Sequence, residues 1–272
     1  MNLENYFISQ FNSEYIGNDG AFIDGFVYSK DAFFENTHFK TKWMTYYQIG
    51  RKAMLVNISD AVAMNAKPRY ALLSVAMPKS MKKSDMRALA NGFKDAAELY
   101  GIEIIGGDTI GNAKLDITIT IVSTTKGPLP RNGVRNGDLL AYTGSLGRSL
   151  KDLRKLFNLG KIHKKSKFIN IELRSAFVKN SRRRLNAGMD ISDGLFSDLG
   201  KMASANGLGF KFHQKIAKSV GCSGEEYEML VAFDKRRKKA ILRGAKRSRT
   251  KLTIFASASR RKYANRCKAH HF

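Results

Sequence analysis

The octapeptide GMDISDGL, residues 188–195, sets Asp190 and Asp193 three apart around Ser192 and closes them with a glycine. Four more aspartates stand apart from the ordinary surface acids: Asp19 in YIGNDGAF, Asp31 after YSK, Asp60 beside Ala61 in an apolar stretch, and Asp108 in IIGGDT. Glycines at Asp19 and Asp108 permit close backbone approach, and a strand end presents a carboxylate well. A carboxylate inside an apolar helix, as at Asp60, is costly unless a cation or donor satisfies it. Carboxylates on separate elements are the ligands of a multi-magnesium site, because Mg2+ takes oxygens shared among a few side chains and phosphates. Taken singly, each reads equally well as a cap or turn residue, and Asp193 before Gly194 as a helix N-cap. The sequence contains neither a Walker A motif nor the protein-kinase set, so a nucleotide would be held by other means.

The elements that must carry these residues can be read from periodicity. Residues 22–34 read as an extended segment with turns. Residues 45–65 read as a long helix, apolar at Ile49, Ala53, Val56 and Met64, which Pro68 is expected to stop. RYALLSVAMP is a buried strand. SDMRALANGFKDAAELYG is a helix that Ser84 can cap and Gly101 can end, and IEIIGGDT is the next strand. KLDITITIVST alternates apolar and polar residues at the period of a strand with one buried face. Two prolines and three glycines gather in KGPLPRNGVRNGD, residues 126–138, where a boundary falls and a second unit begins. That unit opens with strand DLLAYTG, turns through GSLG, continues as basic helices to about residue 185, and runs through GMDISDGL into helix LFSDLGKMASA.

The chain has 272 residues, 43% of them hydrophobic, enough for a large core or two ordinary ones. No run of about 18 apolar residues occurs and the N-terminus lacks a secretion pattern, so no membrane association and a cytoplasmic location are expected. Cys222 and Cys267 lack CxxC spacing and are expected to be independent thiols. The formal net charge is +25, of which residues 1–144 carry +2. The rest lies in residues 145–272, especially in KDLRKLFNLGKIHKKSK, NSRRRL and the tail from Lys235. Such runs could bind a polyanion, but no aromatic stacking motif or zinc finger accompanies them, so solvated helix faces are the simpler account and nucleic acid is not expected as a partner.

In order along the chain, the motifs resemble those of the bacterial thiamine-monophosphate kinases, within the aminoimidazole ribonucleotide synthetase-like (PurM-like) superfamily. GNDGA stands for the family's GDDA, SKD followed by His38-Phe39 for its S-T-D and H-F, and NISDAVAMNAKP for NLSDLAAMGA-P. GGDT, PRNGVRNGDLLAYTGSLG, GMDISDGL, and GEEYEML for GEDYEL complete the set, from about Tyr15 to Phe233. The resemblance implies an α/β, two-domain fold: an N-terminal mixed sheet with helices that binds ATP and magnesium and dimerises, residues 1–128, and a C-terminal α/β domain completing the site, residues 129–272, with a basic tail from about 235. It implies phosphorylation of thiamine monophosphate to thiamine diphosphate, with ATP as co-substrate, several Mg2+ ions and a homodimer. Asp19, Ser29, Lys30, Asp31, Asp60, Asp108, Asp190 and Asp193 would surround the metals, Lys30 through its main chain. Gly107, Asp108, Arg131 and Ser192 would meet ATP, and His38 and Glu225 the thiamine monophosphate.

Residue types alone keep other readings open: His38 as a packing histidine, Arg131 as a solvated loop charge, Ser192 as a turn hydroxyl, and Glu225 with Glu226 as the acidic start of a helix. The chain departs from the family pattern at Asn18, Lys30, Asn65 and Glu226, and for the aromatic residue that covers the thiamine ring it offers Tyr263 and Phe272. A Lys30 ammonium facing the metals would compete with them. The rival readings are another ATP-using enzyme of the superfamily, of the aminoimidazole ribonucleotide or selenophosphate synthetase type, and a non-catalytic polyanion binder.

Overall fold

The computed structural model describes residues 3–267. Helix α1 (Leu3–Ile8) leads into β1 (Ala21–Ile23) and β2 (Phe26–Phe34), followed by α2 (Tyr46–Ala63), β3 (Lys67–Pro78), α3 (Lys83–Tyr100), β4 (Glu103–Asn112) and β5 (Asp116–Thr124). The second half runs β6 (Leu139–Thr143), α4 (Arg148–Phe157), α5 (Ser175–Ser181), β7 (Ala187–Ile191), α6 (Leu195–Asn206), β8 (Gly209–Phe212), α7 (Lys218–Gly221), β9 (Glu228–Phe233), α8 (Lys238–Arg247) and β10 (Leu252–Ser259). The expected mixed α/β architecture holds. Two five-stranded sheets form, ordered β1-β2-β5-β3-β4 and β7-β9-β6-β10-β8. Within the first, only β3 and β4 run parallel, joined across α3.

The first sheet has one covered face. Strand β5 alternates as its pattern predicts, with Ile117, Ile119, Ile121 and Ser123 buried and the residues between them partly exposed. Against that face lies α2, whose Ile49, Met54, Leu55 and Ile58 have no exposed surface. Each such side chain contributes about 1.5–3 kcal/mol by leaving water. Thr45 and Gln48 close a reciprocal capping box at the helix start. On its other side α2 packs against β7 and α5 of the second half, so it is buried all round. Its contact with α3 is close enough that a Cβ on Gly92 would run into the Tyr47 carbonyl.

Local details differ from the sequence reading. Helix α2 ends at Ala63, before Pro68 can act, because Asn65 takes a left-handed φ of 54° and donates its side-chain amide to the Gly127 carbonyl at 3.0 Å. Pro68 instead enters β3. Lys82, not Ser84, occupies the N-cap of α3, while Gly101 closes it at φ 64° as expected.

The cysteine expectation is corrected: Cys222 and Cys267 form a disulfide. Spacing rules detect neighbouring ligands, whereas these two are 45 positions apart and meet because the chain after β10 returns along α6. Tyr263 belongs to that return. Its hydroxyl donates to the Phe196 carbonyl at 2.7 Å and its ring packs on Phe210, so it is part of the second core and not of the carboxylate site. Phe272 lies outside the described residues. No helix among the described residues is long and apolar enough to cross a membrane.

Candidate active site

Where the two halves meet, α2 faces β7 and the turn around residues 17–20 folds over them. Ligand oxygens of Asp19, Asp60 and Asp190 lie within 4.8 Å of one another. Asp31 joins from β2, on the sheet face that looks at α2, since its register partner Ile119 is fully buried. Burial pushes the carboxyls of Asp60 and Asp190 well above the usual carboxylate range, and neighbouring aspartates push them further. Burial likewise raises Asp31 to about 7, with Glu225 and Asp19 adding to it. Asp19 is raised by burial too, against the pull of Arg131, whose guanidinium donates to Asp19 Oδ1 at 2.5 Å. Four carboxyls brought together out of water form a concentration of negative charge that a cation would stabilise.

The polar residues of α2 organise this cluster, and sequence reasoning singled out only one of them. Asn57 accepts the Asp31 N–H at 2.8 Å, fixing the backbone of β2, and is itself held by the Ala53 carbonyl. Ser59 donates to Asp190 Oδ2 at 2.6 Å. Asp60 enters the cluster directly. One helix turn of NISD thereby reaches three elements, and the available signal was three polar residues within the otherwise apolar stretch from Ala53 to Ala63.

A second group surrounds Glu225. Glu225 and Glu226 do not begin a helix: they lie in the turn before β9, Glu225 at φ 58° and Tyr227 at φ 49°, with Glu225 N–H bonded to the Ser192 carbonyl at 2.7 Å. The helix-start reading is therefore replaced. Lys52 of α2, completely buried, sets its ammonium 2.7 Å from Glu225 Oε2 and 3.9 Å from the centre of the Phe168 ring. The Tyr227 hydroxyl donates to Glu225 Oε1 at 2.8 Å. Burial works against ionisation of Glu225, but Lys52 and Tyr227 outweigh it and hold the carboxyl below its usual range, with His38 contributing at longer reach. His38 stacks on Phe33 and its Nδ1 accepts the Phe34 N–H at 3.0 Å. Glu226 points elsewhere, accepting from Gly147 N–H and Ser149 N–H and so tying down the GSLG turn.

The remaining candidates fall into place unequally. Ser29 shares the inner face of β2 with Asp31, and its buried hydroxyl has no hydrogen-bond partner. Lys30 points the other way, to Thr118 Oγ1 at 3.1 Å, so its ammonium does not compete at the cluster. Asp193 is no N-cap: α6 begins after Gly194 without a side-chain cap, and Asp193 pairs with Lys201. Ser192 sits beside it in the same turn. Asp108 is not brought to the cluster within this chain. It is in register with Ser74, Thr118 and Ala32, on the opposite sheet face from Asp31 and three strands away from β2, roughly 14 Å by strand spacing. Gly107 precedes it at φ 148°, where a Cβ would run into the Leu73 carbonyl.

The donor set fits magnesium. It is all oxygen, drawn from separate elements, and leaves a buried Asp19 Oδ2 and the Ser29 hydroxyl without protein partners. A two-sheet α/β protein with an all-oxygen donor cluster between its halves belongs in the class of proteins that can hold a hard divalent cation, and similarity gives the family. The family model described as AIR synthase related protein, N-terminal domain, matches residues 17–125. A thiamine-monophosphate kinase of Leptospira interrogans is 30% identical over 240 residues, which is 78% of this chain and 76% of that protein. The chain belongs to the thiamine-monophosphate kinase family. Its fold matches the crystal structure of thiamine monophosphate kinase from Aquifex aeolicus at a TM-score of 0.82, with 24% identity over 94% of this chain and 92% of that one. It also matches AaThiL complexed with AMPPCP and TMP at 0.85, again with 24% identity, over 96% and 91% of the two chains.

Proposed function

We propose that the protein transfers the γ-phosphoryl of ATP directly to the phosphate of thiamine monophosphate, forming thiamine diphosphate and ADP. The observation that carries this reading is the convergence of Asp19, Asp60 and Asp190 from three segments of the chain. An oxygen of the acceptor phosphate attacks the γ-phosphorus as the bond to the β–γ bridging oxygen breaks, and ADP leaves with the electron pair. The acceptor is already ionised at neutral pH, so no side chain need act as a base. The obstacle is repulsion between anions, and bound Mg2+ ions would supply the charge that offsets it.

Asp19, Asp31, Asp60, Asp190 and Asp193 would hold those ions, with Ser29 and the Lys30 main chain completing the shell. Arg131, whose guanidinium is held by Asp19 and whose main-chain N–H is accepted by Asn18, would meet ATP phosphate oxygens together with Ser192. Glu225 and His38 would meet the thiamine part, a carboxylate suiting its cationic ring. Gly107 and Asp108 would reach nucleotide and metal from a second copy, which would give a homodimer a role. Tyr28, Tyr70, Leu72 and Ile110 expose apolar surface on that side of the first sheet, which suits such a contact. A cytoplasmic site of action accords with the use of ATP.

The test is formation of thiamine diphosphate from thiamine monophosphate and ATP with and without Mg2+. Wild-type protein should form it only with Mg2+, and Asp60→Asn and Asp190→Asn should lose at least about 100-fold in rate while still unfolding cooperatively. ATP turnover with another phosphorylated acceptor, and none with thiamine monophosphate, overturns the substrate assignment.

A further inference from the structure

Lys201 is absorbed by none of the roles above, yet it stands at the edge of the carboxylate cluster. It lies on α6 one turn after Asp198, and its ammonium is 2.6 Å from Asp193 Oδ2 and 3.2 Å from Asp198 Oδ1. Asp198 has no exposed surface, and neither of its oxygens has a hydrogen-bond partner apart from that ion pair. Two-thirds of the Lys201 side chain is itself covered, at 33% exposure, so the pair is not a surface bridge exchanging freely with water. The charge of Lys201 also reaches Asp19 and Asp31.

We propose that Lys201 is a resident cation of the site, standing between Asp193 and Asp198 where a divalent ion would otherwise be held. The inference rests on the reading of the cluster as a magnesium site. An ammonium offers three donors from one compact charge, so it can satisfy oxygens of two carboxylates as a metal does, but it is covalently tethered and brings one charge instead of two. Six carboxylates face this region: Asp19, Asp31, Asp60, Asp190, Asp193 and Asp198. Arg131 neutralises one through Asp19 and Lys201 a second, so the demand for divalent ions is smaller than the carboxylate count implies. Asp193 is then a metal ligand only in competition with Lys201. The nearest carboxylate on the same helix, Asp198, is the residue that keeps the ammonium in place.

The experiment counts Mn2+ ions bound per full-length chain, with free Mn2+ followed by electron paramagnetic resonance, in wild type, Lys201→Gln and Lys201→Arg. Lys201→Gln should bind one Mn2+ more than wild type, and Lys201→Arg the same number as wild type. In Lys201→Gln the Mg2+ dependence of thiamine diphosphate formation should also steepen. An unchanged Mn2+ count in Lys201→Gln overturns the proposal, while activity of the wild-type enzyme in the same preparation leaves the magnesium reading standing. If Lys201→Gln fails to fold because Asp198 is left buried and unpaired, millimolar Mn2+ should restore its cooperative unfolding by taking the place of the ammonium between Asp193 and Asp198, and failure of Mn2+ to restore it overturns the proposal.

Discussion

Ser59 and Asp190, 131 positions apart, are joined by a hydrogen bond of 2.6 Å that links the central helix of the first half to a strand of the second. That bond lowers the Asp190 carboxyl, while burial and neighbouring aspartates raise it. Ser59→Ala should therefore push Asp190 further toward its protonated form and weaken magnesium binding. We expect a loss of about 10–100-fold in metal affinity or rate, read from the Mg2+ dependence of product formation. Ser59→Thr, which keeps the hydroxyl, should recover most of it.

Lys52 invites a different measurement. Its buried pairing holds the Glu225 carboxylate that is proposed to meet the substrate, while Glu225 reaches Ser192 through its main-chain N–H and not through that carboxylate. Lys52→Met leaves Glu225 with the Tyr227 hydroxyl and the influence of His38, losing a charged hydrogen bond of about 1.5–3 kcal/mol. The KM for thiamine monophosphate should rise at least about tenfold by that energy, with the KM for ATP little changed. Equal changes in both would contradict a substrate-side role for Glu225.

Glu228 predicts a pH effect on stability. Burial opposes its ionisation, but the Arg174 fork at 2.7 and 2.9 Å and Lys167 at 2.8 Å prevail, and its carboxyl sits below the usual range. A depressed carboxyl stabilises the fold above the unfolded value and loses that contribution as pH falls through the folded one. Wild-type protein should thus lose melting temperature steeply below about pH 4, the unfolded glutamate value. Glu228→Gln should be less stable by about 3–5 kcal/mol at pH 7, the cost of breaking a buried pair, and should show a shallower acid limb.

The disulfide can be tested by reduction. Closing a loop of 45 positions stabilises a chain by about 4 kcal/mol in the chain-entropy account. Dithiothreitol should lower the melting temperature of wild type by about 5–10 °C and leave Cys222→Ser unaffected. Equal melting temperatures of wild type with and without reductant would show that the two sulfurs are not joined in solution.

Much of this protein is legible from sequence because its signals are local. Alternation in β5, the Gly101 stop of α3 and the run of GMDISDGL from strand into helix all depend on neighbouring residues, and the order of the motifs carries the family. The aspartates were visible as carboxylates in costly places. What they do together was not, because convergence is a property of packing: α2 brings Asp60 to Asp190 only once it lies between the sheet and β7. The same holds for Lys52, which periodicity treats as one more helix lysine and which packing buries completely beside Glu225. Strand pairing set Asp108 on the far face, since register decides which side of a sheet each residue takes. Sequence by itself determined which residues could carry charge and which segments could form elements. The tertiary structure decided which charges meet, because a carboxylate or ammonium acquires its role from the burial and partners that distant parts of the chain supply.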